Sequence, residues 1–241
     1  ENIQRICEKI YSSKKKESNL ILSNGNFKSG STWVTAITHE IYNYRNVDFP
    51  NTFQNPKHTN WINRFRIEDF LNNEKSNIRN IWISKSHIFQ EKIINEIMIN
   101  QDNIKVINID RDIKDVLVSH YHHLINAKKI KGDFKNYFYK WGMYKAKQIL
   151  DYRIAWKDYD CLKLKYEDLL EKNQETIQKI AKYLKTELNK DQVLKVQRET
   201  NIDNLRANLD RKYLNEEKWF FRKGKKGDWQ NYFDDEMISK I

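Results

Sequence analysis

The sequence predicts an α/β fold in which a mainly parallel sheet is flanked by helices. Three observations carry that expectation. Short apolar, β-branched runs alternate along the chain with longer stretches of helical period, as in βαβ units. The first of these runs ends in a glycine-containing turn that opens directly onto a helical pattern, at Ser23–Trp33. Only six Gly and two Pro occur, too few for an all-β protein built on many tight turns. At 241 residues one domain, 1–241, is the simplest division, and no repeat, linker or low-complexity tract splits it.

Taken in order, residues 1–18 are polar with Ile3, Ile6, Ile10 and Tyr11 scattered through them, and read as a short amphipathic helix. Leu20-Ile21-Leu22 is a strand. It runs into Ser23-Asn24-Gly25-Asn26-Phe27-Lys28-Ser29-Gly30-Ser31-Thr32-Trp33 and then a helix marked by Val34, Ile37 and Ile41. The first N–H groups of a helix lack intrahelical partners and its dipole is positive there, so this turn is an anion cradle suited to phosphate or sulfate. The spacing of Gly25, Gly30 and Thr32 approaches the nucleotide P-loop, Gly-x4-Gly-Lys-Ser/Thr. Ser31, however, stands where the lysine belongs, and Lys28 falls inside the loop. The expectation is a phosphate loop that does not hold ATP in the usual way; a surface turn without a ligand is the plain alternative.

Residues 45–66 are irregular, with both prolines (Pro50, Pro56) and the aromatics Phe49, Phe53, Trp61 and Phe65. They read as one wall of an acceptor pocket or, equally, as the packing of a long connection. The run from Ile81 to Ile83 ends in Ser84-Lys85-Ser86-His87, polar residues at the rim of a sheet, where open α/β folds place ligands. An ordinary surface histidine is the alternative for His87. Residues 90–100 read as helix and Ile104–Asp110 as strand, followed at once by Arg111 and a helical run holding Ser119, His120, His122 and His123. His120 and His123 share a helical face, but no carboxylate or cysteine accompanies them at metal-site spacing, so no metal is expected. The stretch 133–158 is helical, its aromatics Phe134, Tyr137, Phe138, Trp141, Tyr144, Tyr152 and Trp156 assigned to the core. Cys161–Tyr166 is a strand, and Glu167-Asp168 open one long helix to about Leu188. After Trp219-Phe220-Phe221 come Arg222-Lys223-Gly224-Lys225-Lys226-Gly227-Asp228-Trp229, four cations within five residues and able to wrap a phosphate.

The formal charge of +11 fits an anionic partner. Because lysine is spread through the whole chain, charge alone argues only weakly for nucleic acid, and none is expected as a partner. No stretch approaches the roughly 20 apolar residues of a membrane span. No signal peptide is visible, and Cys7 and Cys161 lack paired-cysteine spacing, so a reducing, cytoplasmic location is expected.

Together these segments resemble the cytosolic-type sulfotransferases, which use 3′-phosphoadenosine 5′-phosphosulfate (PAPS) as donor. The family's Pro-Lys-Ser-Gly-Thr-Thr-Trp is similar to Phe27-Lys28-Ser29-Gly30-Ser31-Thr32-Trp33, with Phe27 in place of proline. Its Arg-Asn-Pro-Lys-Asp-Val-x-Val-Ser-Tyr-Tyr is similar to Arg111 through Tyr121, with Ser119 in register. Its Arg-Lys-Gly-x-x-Gly-Asp-Trp-Lys-Asn-x-Phe is similar to Arg222 through Phe233, with Gln230 in place of lysine. Lys85-Ser86-His87 looks like the family's Lys-Thr-His, and Tyr166 to Leu169 match Tyr-Glu-Asp-Leu.

The resemblance implies a single P-loop NTPase-like α/β domain. It implies that Lys28, Ser29, Gly30, Ser31 and Thr32 hold the 5′-phosphosulfate, and that Arg111, Ser119, Arg222, Lys223 and Gly224 hold the 3′-phosphate. Trp33 and Tyr166 would line the adenine, with Thr200 from a weaker match in which Ile202 replaces a stacking aromatic. His87 would be the general base, Lys28 would neutralise the bridging oxygen, and Lys85 and Ser119 would stand beside the transferring group, with no metal required. The acceptor would be a small molecule with a hydroxyl or amine, and the product nucleotide 3′,5′-adenosine bisphosphate (PAP). Asp234-Asp235 follow Phe233 where animal members continue Thr-Val, so the family's usual dimer segment is unmatched. Two other readings remain beside this one. A P-loop phosphotransferase using ATP and magnesium would draw on Asp110 at a strand end, and a basic polyanion- or RNA-binding protein would use the aromatics for stacking.

Overall fold

The computed structural model describes residues 20–44, 82–102, 104–212 and 222–241. The expected N-terminal helix, the aromatic connection at 45–66 and Trp219–Phe221 lie outside the described residues.

A four-stranded sheet forms the centre. Its strands are β1 (Leu20–Gly25), β2 (Trp82–Ser86), β3 (Ile104–Asp110) and β4 (Leu162–Lys165), in the order β2-β1-β3-β4 and all parallel. Alternation along the strands divides the core. Ile21, Ile83, Ile107, Ile109, Leu162 and Leu164 face one layer of helices, while Leu20, Leu22, Ile104 and Val106 face the other. Strands covered on both faces carry apolar side chains in both directions, which is why Leu20-Ile21-Leu22 and Val106-Ile107 have adjacent apolar residues rather than strict alternation.

The helices follow from the same burial. On the first face pack α1 (Ser31–Tyr42), then α6 (Tyr166–Glu171), α7 (Asn173–Tyr183) and α8 (Lys190–Glu199), further along the chain. On the second face α2 (Glu91–Ile99) buries Ile93, Ile94 and Ile97, beside Tyr152 and Trp156 of α5 (Met143–Trp156). A third apolar cluster lies among α3 (Ile113–Asn126), α4 (Phe134–Tyr137) and α10 (Asp235–Ile238), with Val116, Leu117, Phe134, Phe138, Phe233 and Met237. The remaining helix, α9 (Ile202–Lys212), starts just after Thr200.

The structure corrects two expectations. The single helix predicted from Glu167 to about Leu188 is two, and the first already begins at Tyr166. The chain breaks at Lys172, where Asn173 Nδ2 donates to Leu169 O at 2.8 Å and Thr176 Oγ1 donates to Asp168 O and Lys172 O. Side chains that bond nearby carbonyls offer the backbone an alternative to the continuous ladder. The aromatic stretch is not all core either: Trp141 is 45 % and Tyr144 60 % exposed. A π-helical turn at Phe138–Gly142 inserts one residue between α4 and α5, so the apolar face slips past the simple helical period.

Among the described residues no helix is long and apolar enough to cross a membrane. Cys161 is a free, half-buried thiol whose pKa burial pushes up to about 11; Cys7 lies outside the described residues.

Candidate active site

β1 leads toward β2 on one side and β3 toward β4 on the other, so the carboxyl ends of β1 and β3 flank the point where strand order reverses. Open α/β sheets leave a ligand crevice there. The segment Asn26–Gly30 follows β1 and Arg111 follows β3. The two meet: Arg111 Nη1 donates to Lys28 O at 3.3 Å.

The loop is shaped by two left-handed residues, Lys28 (φ 61) and Gly30 (φ 108). Gly30 is required on two grounds. Its φ favours glycine, and a Cβ there would lie 2.8 Å from Tyr166 Cδ2. Asn26 O anchors the turn by accepting from both Ser29 N (3.2 Å) and Ser29 Oγ (2.6 Å). Gly30 caps α1, so Ser31, Thr32 and Trp33 open the helix with their N–H groups at its positive end. Ser29 and Ser31 are buried, Thr32 half-buried.

The rim of β2 lies beside this loop. Lys85, only 4 % exposed, donates from Nζ to Thr32 Oγ1 at 3.1 Å. His87 Nδ1 is in close hydrogen-bond contact with Gly25 O at the root of the loop. A carbonyl only accepts, so Nδ1 carries the proton and Nε2 the lone pair. Burial, with the charges of Lys85 and Lys28, lowers the His87 pKa to about 4 against the support of the Gly25 bond. The imidazole is therefore neutral at ordinary pH.

A buried polar network holds this rim. Asn24 Oδ1 accepts from Ser86 Oγ (2.7 Å) and Ile88 N (3.0 Å), the neighbours of His87 on either side. Asn24 Nδ2 donates to Tyr152 Oη at 2.7 Å, and Tyr152 donates to Asn108 Oδ1 at 2.5 Å. Trp156 Nε1 closes the set on Ile88 O at 2.6 Å.

On the far side of Lys28, Arg111 is 9 % exposed, lies 4.1 Å over the Tyr166 ring and donates from Nη2 to Lys225 O at 3.1 Å. Trp33 meets the same ring edge-on at 5.8 Å. The basic loop is tied down by two buried carboxylates. Asp115 accepts from Gly227 N (2.7 Å) and Trp229 N (3.1 Å), joining the loop to α3. Asp228 pairs with Lys223 Nζ at 2.7 Å and with Arg222 Nη2. Burial opposes charge on Asp228, but the bonds from Lys223 and Arg222 prevail and hold its pKa down to about 2. Ser119, half-buried, follows Asp115 by four positions on α3 and so shares the face that meets the basic loop. Gly224 (φ +62) packs so tightly on Ile202 that a Cβ would come 2.3 Å from Ile202 Cδ1. Thr200, 1 % exposed, donates its hydroxyl back to Val196 O.

The structure thus brings together the loop, Lys85, His87, Arg111, Trp33 and Tyr166 around the ends of β1, β2 and β3, with the basic loop joined through Arg111 and Asp115. The sequence marks no role for Asp115, Asp228, Asn24 and Asn108, and marks Tyr152 only as core. Asp115 and Asp228 sit inside the quoted motifs, yet only the fold shows whom they bind.

The sulfotransferase domain model matches residues 20–241. The chain belongs to the sulfotransferase family. Among its relatives, a flavonol sulfotransferase-like protein of Flaveria bidentis is 28% identical over 240 residues, covering 89% of this chain and 76% of its own. Sulfotransferase 1 family member D1 of Rattus norvegicus is 28% identical over 234 residues, 86% of this chain and 75% of its own. Of solved structures, mouse sulfotransferase SULT7A1 complexed with PAP superposes with a TM-score of 0.66 at 19% identity, over 98% of this chain and 85% of its own. Retinol dehydratase in complex with androsterone and the inactive cofactor PAP gives 0.63 at 20% identity, over 96% and 80%. This sulfotransferase thus shares their fold, a P-loop NTPase-like α/β domain.

Proposed function

We propose that this sulfotransferase moves the sulfuryl group of PAPS to a hydroxyl or amine of a small-molecule acceptor by in-line displacement, with His87 as general base. The observation that carries the reading is the His87–Gly25 bond: it selects the tautomer with the lone pair on Nε2, at the root of an anion loop, while burial and two lysines keep the ring neutral. The donor fits residues of this chain. Arg111 Nε, Arg222 Nε and Trp33 Nε1 are buried without a hydrogen-bond partner among the described residues, and buried donors of this kind call for one.

When bound, PAPS supplies the sulfuryl group, whose S–O bond to the 5′-phosphate breaks as sulfur bonds the acceptor oxygen or nitrogen. The N–H groups of Lys28, Gly30, Ser31 and Thr32 and the ammonium groups of Lys28 and Lys85 orient the phosphosulfate and offset the charge left on the 5′-phosphate. Arg111, Ser119, Arg222, Lys223 and Gly224 hold the 3′-phosphate, with Asp228 keeping Arg222 and Lys223 aimed before it arrives. Trp33, Tyr166 and Thr200 line the adenine side. His87 Nε2 takes the acceptor's proton.

The reading treats 1–241 as one sulfotransferase domain. A small organic acceptor accords with the androsterone and retinol bound in the retinol dehydratase structures. A cytoplasmic setting accords with a relative named cytosolic sulfotransferase 5, of Arabidopsis thaliana. The phosphotransferase alternative is less favoured: Ser31 stands where its lysine belongs, and Asp110 Oδ1 is paired with Arg153 Nε at 3.0 Å.

The test is His87→Ala. Turnover should fall about 10²–10⁴-fold while PAP affinity, by calorimetry, stays within a factor of two or so. A variant that melts and turns over like the parent removes His87 from the mechanism.

A further inference from the structure

Lys28 separates two sides of the site. The side of Arg111, Tyr166 and the basic loop has been described. On the other side Phe27, the residue before Lys28, packs its ring on His120 with centroids 4.8 Å apart, and His120 Nδ1 bonds Tyr137 Oη at 2.8 Å. Lys145, on α5, places its Nζ 5.3 Å from the centre of the Phe27 ring.

Lys145 is half-buried, and its only side-chain hydrogen bond among the described residues is to the neutral Gln148 Oε1 at 2.8 Å. The one carboxylate of its own helix, Asp151, is paired with Lys147. Burial lowers the Lys145 pKa, which marks an ammonium short of solvent. Among the described residues, the neighbouring groups add no negative charge. His120 is held neutral, its pKa lowered to about 3 by burial and by the charges of Lys145, His123, Lys28 and Lys129. His123 is lowered to about 4 by burial and by Lys28, Lys129 and Lys85. Cations therefore stand at both ends of this strip, Lys85 and Lys28 at one and Lys145 at the other, with two neutral imidazoles between them. Desolvating a cation without a counter-charge is costly, and an anion bound there offsets that cost.

We propose that the acceptor is an aromatic hydroxy acid, its carboxylate held by Lys145, its ring packed against Phe27 and His120, and its hydroxyl directed to His87. The proposal rests on the sulfuryl-transfer reading: the phenolic proton goes to His87, the phenolic oxygen bonds sulfur, and PAP leaves with the electron pair. It gives Phe27 a purpose where the family has proline, since the ring supplies a flat wall at the mouth of the loop. Lys145 is outside every motif of the resemblance.

Three matched phenols test it with the intact chain and PAPS: p-hydroxyphenylacetate, p-cresol and tyramine. Expected is a kcat/KM order of p-hydroxyphenylacetate over p-cresol over tyramine, with about fivefold to tenfold at the first step, carried by KM and shrinking as salt is added. In Lys145→Met the ratio of p-hydroxyphenylacetate to p-cresol collapses toward one, and Lys145→Arg restores it. The proposal is overturned if p-cresol equals or exceeds p-hydroxyphenylacetate, or if the ratio survives in Lys145→Met. It is also overturned if Lys145→Met weakens PAP binding by the same factor as turnover, which would assign the cation to the donor. Binding of each phenol to the PAP complex, read by calorimetry, separates the layers. PAP binding without any of the three phenols overturns the acceptor class alone, whereas no PAP binding and no turnover removes the sulfuryl-transfer reading together with it.

Discussion

His87 shows how one side chain is prepared by its neighbours. The Gly25 carbonyl selects the tautomer, and burial with two lysines keeps the ring neutral. As the proposed base, His87 would be active only when unprotonated, so activity should fall as pH drops through its pKa. In the free enzyme that pKa is about 4. An anionic donor screens Lys28 and Lys85 and favours the imidazolium, which raises the value in the complex. The acid limb of kcat/KM for the donor should therefore lie near pH 4, and the acid limb of kcat above it. Limbs in the reverse order would mean that donor charge is not felt at His87. Much of this residue scale was legible in sequence. Lys28, Gly30, Lys85, His87 and Arg111 stood out because each lies at a strand end or in the loop from strand to helix, where a short motif maps onto a fixed geometry. Lys145 and Asp115 did not, because their importance comes from contacts across the fold: Asp115 meets Gly227 and Trp229 at separations of 112 and 114 residues.

At the scale of elements, the rim that carries His87 is held by a strap of amides and a phenol running through β1, β2, β3 and α5. Tyr152 is its hinge pin, accepting from Asn24 and donating to Asn108. Tyr152→Phe removes both bonds and leaves two buried amide groups short of a partner. The expected cost is about 1–3 kcal/mol of stability, measured by urea denaturation. Because Asn24 fixes Ser86 and Ile88 around His87, kcat should fall while the donor's KM changes little. A variant that loses stability but keeps full kcat would show the network to be packing alone. Tyr152 was read from sequence only as core, which it is at 3 % exposure. Helical periodicity reports which face is buried and says nothing of what a hydroxyl on that face bonds. The same limit hid the π-helical turn, since one inserted residue shifts the burial pattern without leaving a compositional mark.

Across the whole molecule, the sheet was the most legible part, because strands buried on both faces write their apolar runs plainly into the sequence. The electrostatic character was legible only as a net +11, without its placement. Placed in the fold, it sets a pH dependence. His87, His120 and His123 have folded pKa values lowered to about 4, 3 and 4, against 6.5 when unfolded. Between pH 6.5 and about 4 the unfolded chain therefore binds more protons than the native one. Stability is complete above 6.5 and declines as pH falls through that window. The urea midpoint should be lower at pH 5 than at pH 7.5, and the difference should narrow in His120→Phe. Identical midpoints would mean that the imidazoles take up protons freely inside the fold. Arg111 carries a consequence for synthesis. Its guanidinium reaches back 83 residues to Lys28 O and forward 114 residues to Lys225 O. A ribosome releases the strand-and-loop half of the anion site long before the basic half. The nascent chain can thus fold its sheet early and still lack the proposed nucleotide site until residues 222–229 emerge and dock on α3. Contacts of such long range form late, and quality control that senses bound nucleotide would inspect only chains translated past that point.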